Sequence, residues 1–227
     1  SCIRNSDKRV DLMKLPEELQ FIANARMVQK TTDARMDGRV CILTGATSGV
    51  GYQAAKRLAQ SGAHIVMVCR NGKKAAEVQD ELQKEYGAQI DVVLADFSRL
   101  SQVRKAAAAI LAKYAHIDVL INNAGVHYTH RTLTEDGIET VFAVNHLASF
   151  LFTRLLLNRL IESAPARILQ VNSEGHRFGG LDLTDLNWDK RRYKGLQGYG
   201  ASKVAQLLTV WELTDQLAGS GVTINAV

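Results

Sequence analysis

The stretch TGATSGVG, residues 44–51, links a short apolar run to a segment with helical spacing and is the best guide to the fold. Gly45 can make a sharp exit from a strand, while Gly49 and Gly51 let backbone approach a diphosphate and let a helix pack closely. Their Gly-x-x-x-Gly-x-Gly spacing departs from the common Gly-x-Gly-x-x-Gly fingerprint and lacks the Gly-Lys-Ser/Thr of a P-loop. The stretch predicts a nucleotide-binding turn and disfavours ATP hydrolysis, with a plain tight loop as the alternative.

Apolar runs and helical segments alternate from residue 39 onward. The apolar runs, each short enough to be a strand buried on both faces, are 39–44, 64–69, 90–95, 118–122, 167–172 and 222–227. The segments with helical spacing are 51–60, 73–86, 101–114, 135–162 and 199–218. This alternation requires right-handed crossovers. It therefore predicts a doubly wound, Rossmann-like parallel α/β sheet with helices on both faces, truncated after its sixth strand.

Two regions follow from this pattern. Residues 1–38 form an N-terminal extension, in which Pro16 and the two glutamates after it predict a helix that continues through about Gln29. Residues 39–227 form one nucleotide-binding domain, because they contain no repeat, no low-complexity stretch and no Pro- or Ser-rich linker. Ligands bind such sheets at the carboxyl ends of the strands, so the residues that end strands carry the functional predictions.

The composition is that of an ordinary globular protein. The 227 residues are 46% hydrophobic and 22% charged, which excludes a disordered chain. Three widely spaced cysteines exclude a disulfide scaffold and predict an intracellular, cytoplasmic location. The longest apolar stretch, 142–157, contains an asparagine, a histidine and an arginine, so no membrane span is predicted.

The net charge of +5 makes nucleic acid a candidate partner. The basic residues are dispersed, however, and their densest group lies within 190–194. No aromatic-basic interleaving and no helix-turn-helix pattern accompanies them. A solvated basic face is therefore predicted, with no nucleic-acid partner.

The second apolar run ends at Cys69 and Arg70. A fold that binds NAD carries an acidic residue at about this distance from the glycine turn, where it holds the ribose hydroxyls. A small residue followed by arginine suits a 2′-phosphate instead, because guanidinium pairs well with phosphate oxygens. Lys73 and Lys74 add positive charge. The pattern predicts NADP(H) in preference to NAD(H), and a plain surface arginine is the alternative.

Tyr199 and Lys203 are four residues apart, so they share one face of a helix. An ammonium group near a phenol favours the phenolate and lowers the pKa of the phenol towards neutral pH. Tyr199 is therefore a candidate proton donor or acceptor. An isolated surface pair of tyrosine and lysine is the alternative.

Further motifs occur in one order along the chain. They are TGATSGVG (44–51), Asp96, NNAG (122–125), Asn145, Ser173 and the pair Tyr199 and Lys203. As an ordered set they resemble the short-chain dehydrogenase/reductase family over about 190 residues, from Arg39 to the end. Within that family, VNHLASF (144–150) and RILQVNSEGH (167–176) are similar to retinol-dehydrogenase-like and WW-domain-oxidoreductase-like members.

The resemblance implies roles for four catalytic side chains. Tyr199 would be the general acid/base, and Lys203 would lower its pKa and hold the nicotinamide ribose. Ser173 would hydrogen-bond the substrate oxygen, and Asn145 would hold a water behind Lys203. The implied cofactor contacts are Gly45, Thr47, Ser48, Gly49, Val50, Gly51, Arg70, Asp96, Phe97, Asn122, Ala124, Gly125, Tyr199 and Lys203. No metal site is implied.

Some of these residues also have an ordinary structural explanation. Asn145 could form a buried polar bond within its helical stretch. Ser173 could be a loop hydroxyl or a helix cap. Asp96 could cap the helix that begins near Ser98.

The function implied by the resemblance is hydride transfer between NADP(H) and a small-molecule carbonyl or alcohol. A homo-oligomer through the helices that carry Asn145 and Tyr199 is left open. Asn172 departs from the family, because a small hydroxyl residue often precedes the catalytic serine. The family's C-terminal turn, substrate loop, seventh strand and last helix do not follow Val227. A catalytically weak or inactive nucleotide-binding regulatory or interaction protein is therefore the alternative function.

Overall fold

The sheet is entirely parallel in the computed structural model, which describes residues 32–227. Its strands are Val40–Thr44 (β1), His64–Cys69 (β2), Ile90–Leu94 (β3), Val119–Asn122 (β4), Ala166–Gln170 (β5) and Val222–Ala226 (β6). They lie in the order β3-β2-β1-β4-β5-β6, and each neighbouring pair is parallel. The predicted doubly wound α/β class is confirmed. The helix predicted within 16–29 lies outside the described residues, and the domain boundary at residue 39 stays a prediction.

Five helices connect the strands. They are Gly49–Gln60 (α1), Gly72–Tyr86 (α2), Leu100–Lys113 (α3), Thr140–Glu162 (α4) and Gly195–Gln216 (α5), with a short 3-10 helix at Glu174–Phe178. Part of α4, Ala143–Ala148, is wound as a π-helix. Such π segments inside helices are frequent at functional sites, because they turn side chains away from the regular helical face.

The sheet has a hydrophobic core on each face because successive side chains of a strand point to opposite sides. Along β1, Ile42 enters the core formed with α3, α4 and α5, whereas Cys41 and Leu43 enter the core formed with α1 and α2. All three side chains are fully buried. This two-sided burial explains why the strands read as continuous apolar runs.

The strand order reverses at β1, which pairs with β2 on one side and with β4 on the other. The connections after β1 and β4 therefore leave in opposite directions. A crevice opens between such strands at their carboxyl ends, and ligands of doubly wound sheets bind there.

The structure differs from the predicted helices at two places. The helix predicted from residue 135 begins at Thr140, because Gly137 makes a turn with a left-handed φ of 71° and Leu133 pairs with Glu139 in an antiparallel bridge. The helix predicted from Tyr199 begins at Gly195. The strand boundaries agree with the predicted runs within one or two residues.

Within residues 32–227, α4 is long and apolar enough by composition to cross a membrane. Two thirds of its most apolar window is buried inside the protein. Phe152, Leu156 and Leu160 are fully buried members of the core shared with α3 and α5. The apolar character of the helix thus has a structural explanation in core packing, and the absence of a membrane span stays a prediction.

Candidate functional site

A cleft of about 420 Å³ lies at the carboxyl ends of β1, β2, β3 and β4. The predicted cofactor residues that line it are Gly45, Thr47, Ser48, Val50, Gly51, Arg70, Asp96, Phe97, Ala124 and Gly125. Gly49 and Asn122 are not among its lining residues, and neither are the four predicted catalytic residues. The walls of the cleft thus come from distant parts of the sequence.

The glycines of the turn are required by close backbone contacts. A Cβ on Gly45 would lie 2.9 Å from Ala124 Cα, and one on Gly51 would lie 2.2 Å from Gly45 O. Gly45 also has a left-handed φ of 69°. At Gly49 the constraint is conformational, since its φ is 55° and a Cβ would meet nothing within 4 Å. The three glycines therefore allow a tight turn with a bare backbone surface.

The amino end of α1 offers free hydrogen-bond donors to the cleft. Its N-cap residue, Ser48, makes no side-chain cap hydrogen bond. The first N–H groups of any α-helix lack partners within the helix, and the helix dipole makes that end attractive to anions. A diphosphate fits such an end, so the residues present suit the central part of a dinucleotide.

The NNAG run supports the turn from behind. Thr44 Oγ1 accepts hydrogen bonds from the backbone N–H groups of Asn123 and Ala124, both at 2.9 Å. Asn123 Nδ2 donates to the carbonyls of Thr44 and Gly45 at 3.0 and 3.1 Å. Asn123 is a site residue that sequence reasoning had not singled out within the run. Asn122 instead donates from Nδ2 to Thr153 Oγ1 at 2.8 Å, which joins β4 to α4 behind the cleft.

Positive charge collects at one end of the cleft. Arg70 and Lys74 are exposed and line it, whereas Cys69 is buried at the end of β2. Asn71 caps α2 by accepting a hydrogen bond from the Lys74 N–H at 3.0 Å. Lys73 is not part of the lining. Among residues 32–227, the only acidic side chain in the wall of the cleft is Asp96.

Asp96 forms a local turn. Its Oδ1 accepts hydrogen bonds from the Ser98 backbone N–H at 2.9 Å and from Ser98 Oγ at 2.8 Å. The N-cap residue of α3 is Arg99, so the alternative that Asp96 caps this helix is wrong. The next residue, Phe97, is buried and packs edge to face on Phe152 with ring centroids 5.6 Å apart.

Tyr199 and Ser173 meet at Gly175. A Cβ on Gly175 would lie 2.6 Å from Tyr199 Cε1 and 3.2 Å from Ser173 Oγ, so both side chains pack against the same glycine. Ser173 Oγ also accepts a hydrogen bond from the Gly175 N–H at 3.0 Å and caps the 3-10 helix. The cap interpretation of Ser173 is therefore correct. A serine hydroxyl that accepts this bond keeps its own proton for another partner.

Lys203 lies one turn after Tyr199 on α5, with its Nζ 5.5 Å from the centroid of the Tyr199 ring. The side chain is 5% exposed. Its Nζ donates to the carbonyl of Val171 at 2.9 Å and to Gln206 Oε1 at 3.0 Å. Burial lowers the pKa of Lys203 to about 8, because a charged ammonium loses solvation there.

Asn145 is fully buried in the π segment of α4. Its Oδ1 accepts from the Val126 N–H at 2.8 Å, and its Nδ2 donates to the Val126 carbonyl at 3.0 Å and to Ser202 Oγ at 3.1 Å. The prediction that Asn145 forms buried polar hydrogen bonds is thus correct. Its backbone carbonyl accepts from Gln206 Nε2 at 2.5 Å, on the side of Lys203.

The sequence had not pointed to two residues, one in contact with Tyr199 and one in contact with Lys203. His127 packs edge to face on the Tyr199 ring with centroids 5.6 Å apart, and it follows the NNAG run by two positions. Gln206 lies three residues after Lys203 on the same helix face, a spacing that could have revealed it. In residues 32–227, no group of three or more His, Cys, Asp and Glu side chains could hold a metal ion.

Residues 39–227 match the family model described as short chain dehydrogenase. The chain belongs to the short-chain dehydrogenase family. This confirms the resemblance drawn from the ordered motifs, and the family as a whole binds nicotinamide cofactors.

Relatives within the family support the similarity to retinol-dehydrogenase-like and WW-domain-oxidoreductase-like members. Human retinol dehydrogenase 13 is 40% identical over 195 residues, which cover 86% of this chain and 59% of that protein. Human WW domain-containing oxidoreductase is 39% identical over 198 residues, which cover 84% of this chain and 48% of that protein. The chain therefore spans less than two thirds of the length of either short-chain dehydrogenase.

Solved structures share the fold. An uncharacterised protein from Mycobacterium paratuberculosis has 35% sequence identity and a TM-score of 0.75, with 87% of this chain and 71% of that chain covered. RhlG of Pseudomonas aeruginosa, in its NADP active-site complex, has 26% identity and a TM-score of 0.69, with 85% and 72% covered.

Proposed function

We propose that this chain is the cofactor-binding and catalytic part of an NADP(H)-dependent oxidoreductase that interconverts an alcohol and a carbonyl. The observation that supports the proposal most strongly is the meeting of Tyr199 and Ser173 at Gly175, with Lys203 Nζ 5.5 Å from the Tyr199 ring. A phenol, a hydroxyl and an ammonium in this arrangement suit proton transfer at an oxygen atom.

The preference for NADP(H) is supported by the charge at one end of the cleft. Arg70 and Lys74 provide two cations, and Cys69 stands where a carboxylate would repel a phosphate. A guanidinium can hold a 2′-phosphate through two parallel hydrogen bonds, and a lysine adds a point charge. RhlG, in its complex with NADP, is a related protein that holds this cofactor.

In the proposed reaction, the nicotinamide when bound supplies or accepts the hydride. Tyr199 gives a proton to the carbonyl oxygen during reduction and takes it from the hydroxyl during oxidation. The Lys203 ammonium favours the phenolate form by its charge. Ser173 donates a hydrogen bond to the substrate oxygen, on which negative charge develops before the proton arrives.

A second candidate function is nucleotide binding without turnover, as in a regulatory or interaction protein. It is favoured by the hydrogen bonds of Asn145, whose side chain is occupied by Val126 and Ser202. A relay water behind Lys203 would then have to use the backbone of Asn145, which already accepts from Gln206. The two candidates differ in turnover and agree in cofactor binding.

An intracellular, cytoplasmic location is also proposed. It is supported by Cys41 and Cys69, which are free and buried. Burial raises the pKa of the Cys41 thiol to about 12, so it stays protonated and unreactive at neutral pH. The dispersed basic residues support a small-molecule substrate over a nucleic-acid partner.

The cofactor proposal is tested by titrating the protein with NADPH and with NADH while following protein fluorescence. Arg70→Ala should weaken NADPH binding about tenfold or more, because a hydrogen bond to a charged group contributes ~1.5–3 kcal/mol, and should leave NADH binding nearly unchanged. Lys73→Ala is the matched control, since it removes a neighbouring charge that does not line the cleft. Equal weakening of NADPH and NADH binding in Arg70→Ala, or no weakening of either, would contradict the role of Arg70 in holding a phosphate.

Turnover is tested with a panel of carbonyls and alcohols that includes retinal and retinol, chosen because related proteins are named retinol dehydrogenases. Tyr199→Phe should lower kcat by roughly 10²–10⁴ and change NADPH binding much less, because the proton-transfer group is lost and most of the predicted cofactor contacts remain. Binding without turnover in the unaltered chain would favour the regulatory alternative. Undiminished turnover in the variant would refute the role of Tyr199.

A further inference from the structure

Gln206 joins three parts of the site and is 1% exposed. Its Oε1 accepts from Lys203 Nζ at 3.0 Å and from Asn172 Nδ2 at 3.5 Å. Its Nε2 donates to the Asn145 carbonyl at 2.5 Å. A buried amide with both ends bonded in this way is held in one orientation.

We propose that Gln206 is a positioning residue that fixes the Lys203 ammonium beside Tyr199 by accepting its hydrogen bond. This inference rests on the proposed function. Gln206 touches neither the reacting atoms nor the cleft, and it acts through Lys203.

The physical need for Gln206 follows from the burial of Lys203. A buried ammonium must donate its hydrogen bonds or lose its charge. The Val171 carbonyl at 2.9 Å and Gln206 Oε1 satisfy two of its three donors. The third N–H of the ammonium is then available to the side of the site where the Tyr199 phenol lies and a nicotinamide ribose would bind. The first two hydrogen bonds fix the direction of this third N–H.

The groups that face Lys203 are otherwise neutral. Within residues 32–227, α5 presents the phenol of Tyr199 and the amide of Gln206, and the segment after β5 presents the Val171 carbonyl. Burial lowers the pKa of Lys203 to about 8, and no carboxylate opposes this effect. An amide oxygen therefore supports the ammonium form without adding a negative charge that would disfavour the Tyr199 phenolate.

Asn172 connects the same amide to Ser173. Its Nδ2 donates to the Lys203 carbonyl at 3.0 Å as well as to Gln206, and its Oδ1 accepts from the Ser173 N–H at 2.8 Å. The departure at Asn172 noted in the sequence thus has a structural use. It ties the backbone at Ser173 to the helical turn that carries Lys203.

The test compares Gln206→Met, which keeps the length of the side chain and removes its hydrogen bonds, with Gln206→Glu, which keeps an acceptor oxygen. Thr209→Val is the matched control, because it removes a hydroxyl bonded to the Ala205 carbonyl on the same helix and away from Lys203. The first measurement is an NMR titration of the Lys203 side chain, assigned with Lys203→Arg, on protein without cofactor.

We expect Lys203 to lose its proton at lower pH in Gln206→Met and at higher pH in Gln206→Glu, with no change in Thr209→Val. Opposite shifts cannot come from a general loosening of the helix. Identical Lys203 titrations in the unaltered chain and Gln206→Met would overturn the inference. If Gln206→Met does not fold, Gln206→Asn, which is too short to reach both partners, should shift the titration in the same direction.

The second measurement is the pH profile of kcat, together with KM for the carbonyl and the Kd for NADPH. Gln206→Met should lower kcat about tenfold and change KM much less, and it should displace the pH profile of kcat from that of the unaltered chain. A parallel fall in Thr209→Val would assign the effect to helix stability and overturn the inference. Failure of NADPH binding in the unaltered chain would overturn the proposed function, whereas the Lys203 titration decides the role of Gln206 without cofactor.

Discussion

At the residue scale, Gly175 determines how two site side chains pack, although no sequence pattern predicted a role for it. It has no side chain to take part in chemistry, yet Tyr199 and Ser173 both occupy the space into which a Cβ would project. The space it leaves is what lets a phenol on α5 approach a hydroxyl at the start of the 3-10 helix. In the sequence it is one glycine among 17, and nothing in its spacing marks it.

Gly175→Ala should therefore reduce activity with little effect on cofactor binding. The new Cβ would lie 2.6 Å from the Tyr199 ring, and the ring would have to move away from Ser173. We expect kcat to fall at least about tenfold and stability to fall by ~1–3 kcal/mol, as for other overpacked sites. Steady-state kinetics and urea unfolding measure the two effects. Gly180→Ala, which meets nothing within 4 Å, should change neither.

His146 carries a second residue-scale prediction, which concerns pH. Its ring lies between Phe142 and Phe150, with centroids 5.1 and 6.1 Å away, and its buried Nδ1 has no hydrogen-bond partner in residues 32–227. Burial lowers the pKa of His146 from 6.5 to about 4. Between these pH values the unfolded chain binds the proton more readily, so stability should fall as the pH falls from about 6.5 to about 4.

His146→Phe should remove this part of the pH dependence. The difference in unfolding free energy between the variant and the unaltered chain should grow by about 1–3 kcal/mol from neutral pH to pH ~4.5. Urea unfolding at the two pH values measures it. His130→Gln, at an exposed ring, is the control and should leave the slope unchanged. A constant difference for His146→Phe would show that the ring titrates normally.

At the element scale, the start of α4 depends on Glu139. This residue is fully buried, and its carboxylate accepts from the N–H groups of Val141 at 3.0 Å and Phe142 at 2.8 Å. The same carboxylate accepts from Tyr193 Oη at 3.2 Å, and burial together with the Glu139 charge raises the pKa of Tyr193. One side chain thus caps the helix and holds the segment before α5 against it.

Glu139→Ala should destabilise the domain by ~2–4 kcal/mol, because it removes the cap and leaves buried donors without acceptors. The urea midpoint at neutral pH measures the loss. Glu135→Ala, which breaks only the exposed pair with Arg99, should cost less than about 1 kcal/mol. Similar values for both variants would show that the buried cap contributes no more than a surface charge.

The segment before α5 is joined to the turn before α4 by further contacts. Arg131 donates to the Asn187 carbonyl at 2.6 Å and pairs with Asp189, and Asn187 Oδ1 accepts from the Glu139 N–H at 3.0 Å. None of these pairs has a local sequence spacing, so none could have been predicted. They show why the helix predicted from residue 135 does not begin there, because the neighbouring residues are held in a turn by partners about 50 positions away.

At the scale of the whole molecule, α4 and α5 present an apolar groove of about 570 Å³ on the surface. Phe150 and Leu208 line it, with 40% and 44% exposure, and Trp211 on α5 is 65% exposed. Exposed apolar groups of this size often mark an interface between proteins. The homo-oligomer that was left open in the sequence would use this face.

A chain with both Leu208→Glu and Trp211→Glu should be monomeric where the unaltered chain self-associates. Charges placed at an apolar interface weaken association by at least about 2 kcal/mol, or roughly 30-fold in Kd. Sedimentation velocity over a range of concentrations measures the change. Leu133→Glu, at an exposed site outside the groove, is the control. A monomeric unaltered chain at every concentration would reject the homo-oligomer.

The sequence by itself determined the layered parallel sheet and the glycine turn, whereas the order of the strands came from the structure. The sheet and the turn depend on local chemistry: apolar runs buried on two faces, periodic helices, and glycines at 45, 49 and 51. Parallel strands also bring their carboxyl ends together by topology, which is why most predicted cofactor residues line one cleft. Such regularities repeat along the chain and can be recognised without knowledge of distant contacts.

Only the tertiary structure decided how the side chains around Tyr199 are arranged. The bonds of Gln206 to Asn145 and Asn172 span 61 and 34 positions, and Gly175 meets Tyr199 through close packing. The hydrogen-bond partners of a buried group depend on distances and geometry that exist only after the elements pack. No local sequence pattern therefore predicts them. The helices and strands can therefore be predicted from the sequence, whereas the contacts that orient the site form only once the helices and strands have packed together.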